Sequence, residues 1–326
     1  MNAVEAMKAR RLVRYAYELY DLKPWEKSDK IGLIAIQLNN RKTPYFVAFL
    51  DHSVVVLPNV AALVGLFMNA SFDEMPSIQR LRYQQHLLCS FVPYEEGDEP
   101  TFSLFTNSEA IIREDIIPMF ESTMPSLLPD MIVKKEIDVL VDVYAQCIEA
   151  IKTILNSDQN IDLETHMHEW HFDYDQSRWV LSSVELPSSH IDVPSLSYTQ
   201  EQLTRLLQQP QHEDVWEMDV AYTSVMLEQV EHHRQHAIRL CMITHHDAPL
   251  VYAQALVNVE DTHQQLCDEL EKVILQRGRP SKIITRDSIL VDAFNEVCAS
   301  LNIELEANES LETIDLFVQE LEDNMR

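Results

Sequence analysis

The residues whose type and spacing first suggest chemistry are histidines. The run His166-Met167-His168-Glu169-Trp170-His171 places three imidazoles within six positions. On a strand, His166 and His168 share a face, so two rings could approach one metal ion. His171 falls on the opposite face and a third ligand is not evident, so a polar strand face is the expectation. His232, His233 and His236 fall in an expected loop, and His245 and His246 in an expected turn, where solvation accounts for them equally well. Cys89, Cys147, Cys241, Cys267 and Cys298 are odd in number, scattered and mostly set in apolar patterns. Buried free thiols in a reducing cytoplasm are the expectation. No Ser–His–Asp or Cys–His grouping stands out from spacing. The only glycines, Gly32, Gly65, Gly97 and Gly278, are never clustered. Phosphate-cradling loops need clustered glycines so that backbone can approach the anion, which excludes a P-loop, a dinucleotide fingerprint and a kinase lid. A Gly-x-Ser-x-Gly nucleophile elbow is absent as well.

The elements that would position such groups are plainest after Asp214. Three runs rich in Val, Ile, Leu, Tyr and Thr, at 215–227, 237–244 and 250–257, suit a pleated, half-buried surface. Their connections, 229–235 and the turn 245–249, are short enough for an antiparallel meander. A helix over 262–276 starts at Thr262 with Gln265 three residues on, a capping-box pattern, and stops at Gly278 and Pro280. A strand at 282–287, a helix at 288–300 with Leu290, Phe294, Val297 and Leu301 on one face, a strand at 303–306 and a helix at 310–322 complete the order β-β-β-α-β-α-β-α. Strands alternating with helices imply right-handed parallel crossovers.

Upstream, residues 1–126 predict an α+β domain. An amphipathic helix over 1–20 carries Lys8, Arg10, Arg11 and Arg14 and closes at Pro24-Trp25. Strands are expected at 31–38, 45–51, 53–57, 86–92 and 101–105, with a helix over 58–70 and another over 77–83. Pro118, Pro125 and Pro129 suggest a boundary within 119–130. Residues 127–209 are expected as a connector: a long helix over 131–156 with an Ile137-Leu140-Tyr144-Ile148-Ile151-Leu155 stripe, a hairpin of 166–174 and 178–186, and a short helix over 199–209 capped by Thr199. Trp170 and Trp179 are expected to pack across that hairpin. The third domain is 210–326.

A formal charge of −28 repels nucleic-acid backbone and anionic membrane unless a basic patch is localised. Residues 210–326 hold eight basic and 23 acidic side chains, a balance of −15. No apolar run approaches the roughly 20 residues needed to span a bilayer, and the N-terminus lacks the apolar core of a signal peptide. The expectation is a cytoplasmic chain whose partner is a protein.

Five stretches carry a family resemblance: Trp216-Glu217-Met218-Asp219-Val220; Ile238 to Thr244 with the turn His245-His246-Asp247; Gly278-Arg279-Pro280-Ser281-Lys282-Ile283-Ile284-Thr285-Arg286-Asp287; Ala293 to Cys298; and Leu301 to Leu305. Together they resemble the ribonuclease-H-like core of integrases and transposases over about the last third of the chain. The whole chain also resembles a group of uncharacterised bacterial two-part proteins, through Leu22-Lys23-Pro24-Trp25, Arg279-Pro280 and Arg286-Asp287. The core resemblance implies a mixed five-stranded sheet in which Asp219 and Asp287, on neighbouring strands, converge on Mg²⁺ or Mn²⁺. It implies a third acid from the last helix: Glu322 has the most integrase-like spacing, with Glu312 and Asp315 the other candidates. Two such metals would clamp the oxygens of a phosphodiester.

Three features depart from an active member. Ser288-Ile289-Leu290 enters a helix directly after the second Asp, acids are common throughout the last helix, and residues 210–326 carry a balance of −15 where a strand-transfer enzyme needs a positive groove, with Arg277, Arg279, Lys282 and Arg286 the only local basic cluster. Helix-dipole complementation accounts for that cluster as well. Without the resemblance, Asp219 is a polar residue on a solvent-facing strand side and Asp287 a helix N-terminal acid. The expectation is therefore a non-catalytic binding or scaffolding protein with a degenerate core and no cofactor. The alternatives are a Mg- or Mn-dependent nuclease using Asp219 and Asp287, and an acidic nucleic-acid mimic that occupies a basic protein's groove.

Overall fold

The computed structural model describes residues 2–39, 41–125, 127–158, 160–188, 193, 195–231, 234–257, 262–286 and 288–325, without the side chains of 226–231 and 234–236. Asp287, His232 and His233 lie outside the described residues, as does the side chain of His236. The chain forms two compact units. Unit 1 comprises residues 1–67, 84–124 and 129–189; unit 2 comprises 68–83, 125–128 and 190–326.

Unit 1 is built from α1 (Ala3–Leu22), α2 (Ser28–Ile31), β1 (Ile34–Gln37), β2 (Tyr45–Leu50), β3 (Ser53–Leu57), the start of α3 (Val60–Ser71), β4 (His86–Pro93), α4 (Glu99–Ser108), β5 (Ile116–Thr123), β6 (Asp130–Met131), α5 (Lys134–Asn156), β7 (His166–Asp173) and β8 (Arg178–Glu185). Its strands make one mixed eight-stranded sheet, ordered β6-β5-β4-β3-β2-β1-β7-β8. Asn2 caps α1 by accepting from the backbone N–H of Val4 and Glu5, and Glu5 returns the bond to Asn2. Leu12, Ala16 and Leu19 of α1 and Leu140, Tyr144 and Ile151 of α5 are buried in the core with Ile34, Ile36 and Val47 of the sheet. The neighbouring strand positions, Ala35, Phe46 and Val55, point the other way into a second cluster with Ala62 and Leu63 of α3.

Several expectations are corrected here. Residues 101–105 are helical, within α4, not a strand. The sequence carries the signal: Asp98 accepts from the Thr101 N–H as an N-cap, and Pro100 stands in the first turn. The expected boundary at 119–130 instead contains the end of β5, which pairs along its length with β4. Proline is tolerated at position 118 because β6 pairs only with Glu121 and Ser122, leaving one side of β5 open there. Residues 127–209 are not a separate connector. β7 pairs in parallel with β1, so α5 and the hairpin complete unit 1, and only α6 (Gln200–Leu207) goes with unit 2.

Unit 2 continues with β9 (Val215–Glu231), β10 (Arg234–His245), β11 (Val251–Leu256), α7 (Thr262–Arg277), β12 (Lys282–Thr285), α8 (Ser288–Ser300), β13 (Glu304–Ala307) and α9 (Glu312–Met325). Its sheet is ordered β11-β10-β9-β12-β13. The first three strands are antiparallel, and β12 is parallel to both β9 and β13. The segment 229–235, expected as a connection, is largely strand: β9 runs on to Glu231 and β10 resumes at Arg234. Strict alternation sorts the buried residues. Trp216, Met218, Val220, Cys241, Ile243 and Ile283 join α6, α7 and α8 on one face. Ala221, Leu240, Met242 and Ile284 join α9 on the other.

The Gly278 turn between α7 and β12 holds φ at +90°, and an added Cβ would sit 2.7 Å from both the His212 ring and the Pro210 carbonyl oxygen. Gly278→Ala is therefore expected to destabilise unit 2 by about 1–3 kcal/mol, read as a lower urea midpoint at unchanged slope. An unchanged midpoint would contradict the strain.

Candidate functional site

The parallel register of β12 on β9 sets Ile284 opposite Glu217 and Thr285 opposite Met218. The residue after the strand, Arg286, therefore arrives beside Asp219. Asp219 is buried at 0% exposure, on the sheet face that carries α9, so it is not on a solvent-facing side. Its carboxylate accepts from two guanidiniums. Arg82 donates from Nη1 to Oδ1 at 2.8 Å and from Nη2 to Oδ2 at 3.1 Å. Arg286 donates from Nε to Oδ2 at 2.6 Å. Arg286, 1% exposed, donates onward from Nη2 to Asp315 Oδ1 on α9 at 2.6 Å and from Nη1 to the Glu309 carbonyl at 2.7 Å. The result is a chain of alternating charges, Arg82–Asp219–Arg286–Asp315.

Arg82 comes from a 3₁₀ helix, Ser77–Tyr83. That segment is held by Gln79, itself fully buried. The Gln79 amide donates to the Tyr222 carbonyl at 2.8 Å and accepts from the Tyr222 N–H at 2.9 Å, as a neighbouring strand would. Arg82 Nη2 also donates to the Gln79 side-chain oxygen at 2.9 Å and to the Val220 carbonyl at 3.0 Å.

Burial alone would push the Asp219 carboxyl up, but the two arginines outweigh it and bring it down to about 2. Burial likewise works against the Arg286 cation, and the Asp219 and Asp315 carboxylates together more than offset it. Asp219 is thus ionised near neutrality and is no proton donor or acceptor there. It also fits a metal poorly. Mg²⁺ requires carboxylate oxygens at about 2.0–2.1 Å, whereas both oxygens of Asp219 already accept from cations. Among the described residues, no group of three His, Cys, Asp or Glu side chains is placed to hold a metal ion.

The candidate third acids separate. Asp315 is the one brought to the network, bound to Arg286. Glu322 lies seven residues along α9, about 10 Å further, and accepts from the Ser224 N–H at 2.5 Å. Glu312 is exposed. In the basic cluster, Arg279 donates from Nη1 to the Leu301 carbonyl at 2.6 Å, just past the end of α8, which is the expected complement to a helix terminus. Arg277 lies 4.4 Å over the Tyr252 ring, and Lys282 pairs with Glu304 and Glu306.

The sequence alone did not single out Arg82 or Glu217. Glu217, two residues before Asp219 and also at 0% exposure, accepts from the N–H groups of Thr313 and Ile314 at 3.1 and 3.0 Å, and its Oε1 lies 2.8 Å from His246 Nδ1. A carboxylate at the start of α9 complements the helix dipole. Two acids alternating within an otherwise apolar strand were the available signal for Glu217; Arg82 is 137 residues from its partner and had none.

The histidine run lies on β7. His166 Nδ1 is 2.9 Å from the Thr165 hydroxyl, and His168, 1% exposed, has Nε2 3.1 Å from the Lys30 carbonyl. Burial lowers the His168 pKa, partly opposed by that carbonyl, so the ring is held neutral. Trp170 and Trp179 stack at 6.1 Å between ring centroids. All five cysteines are free and buried.

The family described as Domain of unknown function (DUF7309) matches residues 10–172, half of the chain. The chain belongs to the DUF7309 family. The DUF7309 match lies mostly in unit 1 but takes in the 68–83 segment of unit 2, whereas Domain of unknown function (DUF6930) matches residues 202–322, in unit 2. No curated protein matches the chain. Solved structures similar to it include the HTLV-2 integrase catalytic core domain in complex with magnesium in its trimeric form, at 16% identity, over 35% of this chain and 71% of that chain, with a TM-score of 0.26. The dimeric form gives 16% identity, 35% and 70% coverage and a TM-score of 0.25. A simian T-cell lymphotropic virus intasome in complex with PP2A regulatory subunit B56 gamma gives 18% identity, 33% and 39% coverage and a TM-score of 0.26.

Removing the Asp219 charge takes from Arg82 and Arg286 the carboxylate they share and leaves Asp315 as the acid on Arg286. Asp219→Asn is expected to cost about 3–5 kcal/mol at pH 7. Because the folded pKa is depressed, the carboxylate's contribution is complete above the unfolded value of 3.8 and is lost as pH falls through about 2. The stability gap between wild type and Asp219→Asn, from urea unfolding at stepped pH, should narrow from pH 5 towards pH 2. A gap of constant size would contradict the pairing.

Proposed function

We propose that the chain is a non-catalytic binding or scaffolding protein whose C-terminal unit is a degenerate ribonuclease-H-like domain. The strand order and directions of unit 2 support the architectural part: three antiparallel strands followed by two parallel ones, with the first strand central. One observation carries the functional part. Where an integrase-like core would present a first-strand carboxylate to a metal, Asp219 is enclosed by Arg82 and Arg286. A guanidinium stays protonated under any physiological condition, so this arrangement does not open by titration.

The excess of acid also favours a protein partner over nucleic acid, because residues 210–326 carry a balance of −15 and the chain −28 overall. Among the described residues, no helix is long and apolar enough to cross a membrane.

The test is cleavage of labelled single- and double-stranded DNA and RNA by the full chain with Mg²⁺ or Mn²⁺. The expected result is no cleavage above a protein-free control, with wild type and Asp219→Asn indistinguishable. Metal-dependent cleavage abolished by Asp219→Asn would overturn the proposal in favour of a nuclease.

A further inference from the structure

Unit 1 holds a concentration of positive charge at odds with the rest of the chain. A groove of about 600 Å³ runs along α1, with Arg10, Arg11 and Arg14 on the helix side and Arg113 from the facing loop. Arg113 makes a bidentate pair with Asp21 at 2.7 and 2.6 Å and lies 4.6 Å over the Tyr17 ring. Arg10 is held by the Ser108 carbonyl and Glu109. These two are fixed in place by partners. Arg11 and Arg14 are exposed, and among the described residues neither makes a salt bridge. Beside them stand apolar side chains turned to solvent: Met7 at 52% exposure and Ile111 at 88%. An Ile so exposed, next to two guanidiniums that make no salt bridge, is a combination that stability does not explain.

We infer that this groove binds a short acidic segment of a partner protein, with carboxylates on Arg11 and Arg14 and an aliphatic side chain against Met7 and Ile111. Guanidinium forks match carboxylates bidentately. The lined stretch of α1, from Met7 to Asp21, spans about 21 Å, the length of about six extended residues. The walls are one helix face and one loop, so the groove leaves a ligand half open. Small-molecule sites instead bury most of their ligand. Glu18 and Asp21 at one end repel a polyphosphate, whereas a peptide can place neutral or basic residues there. The inference rests on the binding reading but not on the state of Asp219: failure here leaves the arginine-enclosed site standing, and nuclease activity in unit 2 would leave this groove untouched.

The test is fluorescence anisotropy of the full chain with a labelled peptide, Glu-Glu-Leu-Asp-Leu-Ser-Lys-Lys, acidic at one end and basic at the other, at low salt. Saturable binding is expected. It should weaken by at least about tenfold in Arg11→Glu/Arg14→Glu, at an unchanged thermal midpoint, and in a peptide with Ser for Leu. Lys42→Glu/Arg178→Glu, an equal charge change at exposed positions elsewhere in unit 1, should bind as wild type. No binding, or equal losses in the two double variants, would overturn the inference. So would displacement by inorganic phosphate at lower concentration than by unlabelled peptide, or self-association of the chain abolished by Arg11→Glu/Arg14→Glu, which would make a second copy the occupant.

Discussion

A carboxylate buried in the middle of a sheet must be matched by cations, and unit 2 is arranged around how Asp219 meets that demand. An ionised group without a partner in that position would cost several kcal/mol. Arg286 reaches it because β12 lies parallel to β9 in a register that ends one residue short of it. Arg82 reaches it because Gln79 fastens the 3₁₀ segment to the backbone of β9. Asp315 then balances Arg286 and ties α9 to the same point. Sheet, flanking segment and last helix are joined through one set of polar contacts, and the apolar clusters pack around it.

Convergent carboxylates can be neutralised by divalent ions or by guanidiniums. The two solutions have opposite consequences. A metal leaves coordination positions open for water and substrate. An arginine uses its donors in fixed directions, and here those donors end on protein atoms: two carboxylates, the side-chain oxygen and carbonyl of Gln79, and the carbonyls of Val220 and Glu309. Glu217 follows the same logic one strand position earlier, with the N–H groups at the start of α9 as its donors. The buried carboxylates of β9, Glu217 and Asp219, are thus engaged within unit 2, which directs attention to surfaces. The arginine groove along α1 in unit 1 is a surface of that kind.

The C-terminal element order was legible because each helix carries its own apolar stripe, such as Leu290, Phe294 and Val297 on α8, and each stop has a local cause, such as Gly278. Residues 101–105 were misjudged because Phe-Ser-Leu-Phe suits a strand, while the deciding signal, Asp98 capping Thr101, lies outside that run. β5 was hidden by Pro118, which an open strand side tolerates. Asp219 was marked as a site from sequence, yet its environment was not: burial belongs to the fold, and the Arg82 partner is fixed only by tertiary contact. Arg286 sat in view, but helix-end complementation proved to describe its neighbour Arg279 instead.

The most direct measurement is a double-mutant cycle between Asp219 and Arg286, using Asp219→Asn, Arg286→Gln and the pair, each followed by urea unfolding at pH 7. If the two charges stabilise one another, each single variant leaves the other ion buried and poorly matched. The double variant is then less destabilised than the sum by at least about 1 kcal/mol. Additive effects would mean that Asp219 and Arg286 do not depend on each other, and the account of unit 2 as organised by this ion network would be wrong.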